Sequence, residues 1–149
     1  MTLKQKVYDH YMQVVNDKLC SLQKVLADLK ESGSNETKST AGDKHEIALA
    51  MLQIEQANVG VQLQDVMEKK TALGKINSTI SSSKIINGSL VKTDKAYLFI
   101  SIALGKSTIE GNPVIALSPQ SPLGQKLLGL SFGDVADINN NKYVIETIE

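Results

Sequence analysis

Two apolar stripes of heptad-like spacing, one on each side of a polar segment, constrain this chain more than any other feature. The first runs through Tyr8, Tyr11, Val15, Lys18, Leu22, Val25 and Leu29, with Met12, Leu19 and Leu26 widening it. The second runs through Leu49, Leu52, Gln56, Val59, Leu63, Val66, Lys70 and Leu73. Alternating steps of three and four residues bring such side chains onto one face of a helix. Residues 31–46, from Glu31 to Glu46, separate the stripes and are rich in Ser, Thr and Gly, with no large apolar side chain until Ile47. Two matching stripes joined by one polar turn predict an antiparallel coiled-coil hairpin over residues 1–75, its tip at 31–46. A helix of about 30 residues reaches about 45 Å, so a hairpin of two is nearly all seam and surface. It suits a probe, and equally a dimerisation or bundle element. Gly60 interrupts the second stripe and weakens its helix by about 1 kcal/mol relative to Ala.

Composition narrows the class. Lysine and arginine together number 16, matched by 16 acids, and every one of the cations is Lys. Readers of duplex nucleic acid usually carry a basic excess and use arginine forks for bases and phosphates. Autonomous, sequence-specific DNA binding is therefore not expected. Cys20 is the one cysteine, which excludes an internal disulfide and a Cys-rich zinc site. His10 and His45 are too few for a His-based metal site. No apolar leader opens the sequence and no window approaches the roughly 18 apolar residues of a membrane span. A cytoplasmic monomer with no membrane partner is expected.

The second half is of another kind. All three prolines and six of the ten glycines lie in residues 76–149, and the Ser/Thr-rich 76–83 reads as a linker to a domain over 84–149. Short apolar runs suggest strands at 85–91, 96–103, 113–117, 134–138 and 143–148, punctuated by Asp94-Lys95, Gly111-Asn-Pro113 and Asn139-Asn-Asn141. One short helix is expected between them. Ser121 caps it, Pro122 takes its first position, Leu123, Leu127 and Leu128 face inward, and Gly129 closes it. Tyr97, Phe99, Phe132 and Tyr143 are the aromatics of the half-buried faces. Four or five strands on one helix make a small α+β domain. Ala103-Leu-Gly-Lys-Ser-Thr108 lacks the leading glycine of a phosphate loop and reads as a turn.

The run Ser121-Pro-Leu-Gly-Gln-Lys-Leu-Leu-Gly-Leu-Ser-Phe-Gly-Asp134 resembles the late C-terminal motif of the Gre-type bacterial transcript-cleavage factors. The order of parts, a long hairpin and then a small domain similar to FK506-binding proteins, resembles that family across nearly the whole chain. So does Gly42-Asp43-x-x-Glu46 at the hairpin tip. The resemblance implies that the hairpin enters the secondary channel of bacterial RNA polymerase, while the globular domain docks at the channel rim. Asp43 and Glu46 would then help hold a second Mg²⁺ near the polymerase's own aspartates, where the backtracked RNA 3′ end is cut. On that view the chain is an accessory factor, not an enzyme by itself.

The residues are compatible with this chemistry. Mg²⁺ typically takes one or two carboxylates and keeps water and phosphate oxygens as its other ligands. Acids at i and i+3 share a helix face. The same spacing fits a capping box, in which Asp43 and Glu46 satisfy free backbone amides, and the sequence leaves both roles open. Glu36 and His45 read as solvated neighbours. After Glu46 the family usually continues Asn-Ala-Glu-Tyr, whereas Ile47-Ala-Leu-Ala stands here. That change motivates the alternative of a non-cleaving secondary-channel regulator. A prolyl isomerase is a third reading, but the four aromatics of the second half line such a pocket poorly.

Overall fold

The computed structural model describes residues 2–36 and 42–149, with the side chains of 34–45 outside the description. Among the described residues the order is α1 (Leu3–Glu36), α2 (Gly42–Gly74), β1 (Leu90–Thr93), β2 (Tyr97–Ile100), β3 (Gly105–Ile109), β4 (Asn112–Leu117), α3 (Pro122–Leu127), β5 (Val135–Ile138) and β6 (Asn141–Ile148). A long helical hairpin thus precedes a six-stranded mixed sheet with one helix. Residues 76–83 carry neither helix nor strand. No helix among the described residues is long and apolar enough to cross a membrane.

The chain divides into two compact units. One is Val14–Lys70; the other joins Met1–Gln13 to Thr71–Glu149. The first turns of α1 belong with the sheet for a plain reason. Val7 and Tyr11 are buried, and the Tyr11 ring stacks on Phe99 at 6.2 Å. The Tyr11 hydroxyl donates to the Gly105 carbonyl at 2.9 Å and lies 3.2 Å from that of Val114. His10 Nε2 sits 2.9 Å from Ser107 Oγ, and the Lys4 ammonium donates to the Ile80 carbonyl.

Within Val14–Lys70 the seam is a heptad track. On α1 its half-buried and buried positions are Val15, Leu19, Leu22, Leu26 and Leu29. Lys18 and Val25, expected in the stripe, are exposed. Steps of 4, 3, 4 and 3 from Val15 run through Leu19, Leu22, Leu26 and Leu29, and the leucines take the seam. On α2 the seam is Leu49, Leu52, Gln56, Val59, Leu63 and Val66, as the spacing predicts, while Lys70, also expected in the stripe, is exposed. Gln56 Nε2 donates to the Leu29 carbonyl at 3.3 Å, a polar tie between the two helices. The helix runs unbroken through Gly60, where an added Cβ would meet nothing within 4 Å.

The sheet order is β3-β4-β2-β1-β6-β5. β2 and β4 are parallel, with β3 in the crossover between them, and the other neighbours are antiparallel. Both faces of the central strands are buried, which is why β2 reads as the continuous run Tyr97-Leu-Phe-Ile100 rather than as an alternation. Leu98 and Ile100 join Val91, Leu127 and Ile145 in one core, and Phe99 faces Tyr11.

Several sequence expectations are corrected here. Residues 103–108 are not a turn, since Gly105–Ile109 is β3, paired along β4. The tight turn lies at Glu110-Gly111, both with positive φ, which matches the twist of a two-residue hairpin. Ile85-Ile86 is outside the strands, and Lys84 forms only an isolated bridge to Ser131. The count is therefore six strands rather than four or five. Phe132 is 78% exposed, not part of a half-buried face.

Two outcomes test this reading. Gly60→Ala should stabilise the protein by about 1 kcal/mol, since it removes backbone entropy without a clash. Denaturant unfolding measures it, and a loss would mean that α2 needs a glycine there. Tyr11→Phe should cost about 1–2 kcal/mol by removing the hydroxyl's hydrogen bonding to the Gly105 and Val114 carbonyls. Burial also pushes the Tyr11 phenol above its ordinary value, so its contribution is full below pH about 10 and lost as pH rises through the folded value. The gap between wild type and Tyr11→Phe should narrow there. Burial lowers Lys4, with Glu149 opposing, so its contribution runs the other way with pH. It is common to both proteins and cancels.

Candidate functional site

The candidate acids lie at the start of α2. The helical backbone begins at Gly42 and passes through Asp43 and Glu46, so the two positions lie one turn apart on a common face. The Glu46 side chain is exposed. The Asp43 side chain lies outside the described residues, as do those of Glu36, Lys38, Lys44 and His45. Acids in the first turn of a helix suit the positive end of its dipole. The residues after Glu46 turn apolar side chains to solvent: Ile47 and Met51 are both more than half exposed.

The donor set fits Mg²⁺ in kind. Two carboxylates on one helical turn offer hard oxygen ligands, and Mg²⁺ accepts one or two of these while retaining water and substrate oxygens. Among the described residues no group of three or more His, Cys, Asp or Glu side chains could hold a metal ion. Two carboxylates would fill only part of the coordination shell of such a cation.

The motif at 121–134 is built as a capped helix followed by a rigid turn. Ser121 Oγ accepts from the Gly124 amide at 3.0 Å and donates to the Ser118 carbonyl at 2.6 Å. Gly124 is obligatory there, because a Cβ would lie 2.2 Å from the Ser118 carbonyl oxygen. Pro122 sits in the first turn and Leu127 is fully buried. Leu128, expected inward, is exposed, because α3 ends at Leu127 and the backbone leaves the helix at its cap. Gly129, with φ +87°, donates its amide to the Ile85 carbonyl. The Asp134 carboxylate accepts from the Ser131 amide at 2.8 Å, and Gly133 has φ +85° between them. Within this motif Ser121, Gly124, Gly129, Gly133 and Asp134 are thus tied to backbone geometry, and Leu127 to the core.

Sequence reasoning passed over His10 and Ser107, which meet at 2.9 Å across α1 and β3. Reading 103–108 as a turn hid Ser107, and no spacing links residues 97 positions apart. Their place beside Tyr11, whose ring meets His10 edge-on at 5.3 Å, makes them part of the same anchor.

No family model and no curated protein matches the sequence. Among solved structures, the chain is similar to that of the GreA factor homolog 1 protein (Gfh1) of Thermus thermophilus. The two are 17% identical, and the alignment covers 95% of this chain and 92% of that one. The TM-score is 0.34, at which the likeness carries no argument about function.

The two-carboxylate donor set yields a prediction. Millimolar Mg²⁺ should leave the thermal midpoint of the isolated chain unchanged within about 1 °C, because weak binding adds little to stability. A rise of several degrees that is lost in Glu46→Gln would mean that this chain completes a site alone.

Proposed function

We propose that this chain is an accessory factor of bacterial RNA polymerase that enters the secondary channel with its helical hairpin and stimulates cleavage of backtracked RNA. The observation that carries the reading is the exposed Glu46 carboxylate one turn from Asp43, at the start of the hairpin's second helix. The hairpin is held by a seam of apolar side chains, which suits delivery of a few side chains to another protein's site. The capped Ser121–Asp134 segment adds support through its resemblance to the Gre-type motif.

In this mechanism Asp43 and Glu46 would hold a Mg²⁺ ion shared with the polymerase. When bound, that ion supplies charge stabilisation to phosphodiester hydrolysis and a lowered pKa for attacking water. The two carboxylates bring negative charge to a place where the polymerase's own acids and the RNA 3′ end provide the rest. The lysines near the turn, Lys30 on α1 and Lys38 and Lys44 in the sequence between the seams, would offset phosphate charge singly, as point charges. The chain contributes positioning and charge, and the polymerase keeps the reaction.

Stalled elongation complexes incubated with wild type and with Asp43→Asn/Glu46→Gln test the reading. RNA cleavage should fall at least about 10-fold in the variant, the loss that even outer-shell metal partners cause when mutated. Equal cleavage by the two proteins would remove the acids from the mechanism. The apolar exposure of Ile47 and Met51 directly after Glu46 favours a second reading, a channel regulator that does not cleave. Under it, wild type and variant slow elongation equally and neither releases RNA fragments.

A further inference from the structure

α2 carries a second apolar stripe that its own hairpin leaves uncovered. Ile47, Met51, Ile54 and Val61 are between 61 and 72% exposed. They follow steps of 4, 3 and 7, and the position that divides the last step is Asn58, also exposed. Read as heptads, Ile47, Ile54 and Val61 take d positions, and Met51 and Asn58 take a positions. Scattered exposed aliphatics are ordinary, but a continuous stripe marks an interaction surface. Its flanks are nearly uncharged: residues 47–64 contain one charged side chain, Glu55.

We infer that this stripe pairs with the same stripe of a second copy of the chain, in parallel, as a two-stranded coiled-coil seam between hairpins. Three features select that occupant. Asn58 lies between the apolar layers of Ile54 and Val61, where burial opposite an aliphatic partner would leave its amide unpaired. A parallel two-fold pairing sets a against a, so Asn58 meets Asn58 of the other copy and each amide has a polar partner, the arrangement that fixes register and strand number. Antiparallel pairing sets a against d and places Asn58 opposite Ile47 or Ile54.

The flanking positions agree. In the parallel seam each g residue meets the following e residue of the other copy, which gives Ala50 with Glu55 and Ala57 with Gln62. No like charges meet, so nothing in these flanks disfavours self-pairing. The next a position is Asp65, where two copies would oppose like charges, and there the apolar stripe stops. Pairing covers the residues just after Glu46, so the dimer and any complex that uses that surface exclude each other. The inference rests on α2 alone and is independent of the cleavage reading.

Sedimentation equilibrium of the full chain, from low micromolar to near millimolar concentration, tests it. Wild type should show a reversible monomer–dimer equilibrium. Met51→Glu/Ile54→Glu, on exposed positions, should keep its helical circular dichroism and weaken the dimer about 100-fold or more, as loss of central apolar anchors does. In a Cys20→Ser background, mild oxidation should link Asn58→Cys into a covalent dimer and leave Gln53→Cys, off the stripe, largely monomeric. A wild type that stays monomeric throughout overturns the inference. So does a charged variant that dimerises as tightly, or equal cross-linking at 53 and 58. Monomeric wild type whose polymerase binding is lost in Met51→Glu/Ile54→Glu overturns it too, and gives the stripe to the polymerase.

Discussion

The contact between Tyr11 and Phe99 is the constraint on which the sheet domain depends. Phe99 lies in the middle of β2, a strand buried on both faces, and α3 covers only one of them. The other needs an apolar cover, and the first turns of α1 provide it with Val7 and Tyr11. The ring contact adds about 0.5–1.5 kcal/mol to the burial itself. The hydroxyl then does what an aliphatic residue could not, because it gives the Gly105 carbonyl a donor where β3 begins. A residue that reads as a hairpin position in the sequence is in fact the link between a helix and the first strand of the sheet edge.

α2 is unusual in having two apolar faces with different fates. One is the seam of Leu49, Leu52, Val59, Leu63 and Val66, buried or half-buried within the hairpin. The other, from Ile47 to Val61, is exposed. A helix stabilised by one seam has no energetic need for a second, and four exposed aliphatics raise the risk of non-specific association. Asn58 lies among them at a heptad spacing, which is what the proposed pairing uses.

The two candidate elements differ in how they are made. The 121–134 segment is fixed by many local bonds: the Ser121 cap, the close approach at Gly124 and the Asp134 bond across Gly133. Each depends on backbone position, so the identities of these residues follow from geometry before any question of partners arises. Glu46, at the start of α2, differs in that its side chain is exposed, and an acid in the first turn of a helix also suits the dipole.

Much of this was legible in the sequence. The heptad steps gave the hairpin and most of its seam, and Ser-Pro with Leu-x-Gly gave α3 with its cap. Local pattern suffices for these because each is held by contacts between near neighbours in sequence or by a repeated spacing. The sequence also offered Asp43 and Glu46 as a pair on one helix face. It could not show that Glu46 points to solvent. Nor could it show that Leu19 and Leu26 displace Lys18 and Val25 from the seam, that Leu128 leaves the core, or that residues 105–109 form an edge strand. Those outcomes were decided by tertiary packing: β3 exists because β4 pairs along it, and Tyr11 joins the sheet because Phe99 needs a cover. A side chain's preference is local, but its burial depends on what stands opposite, and here that is often a residue some ninety positions away.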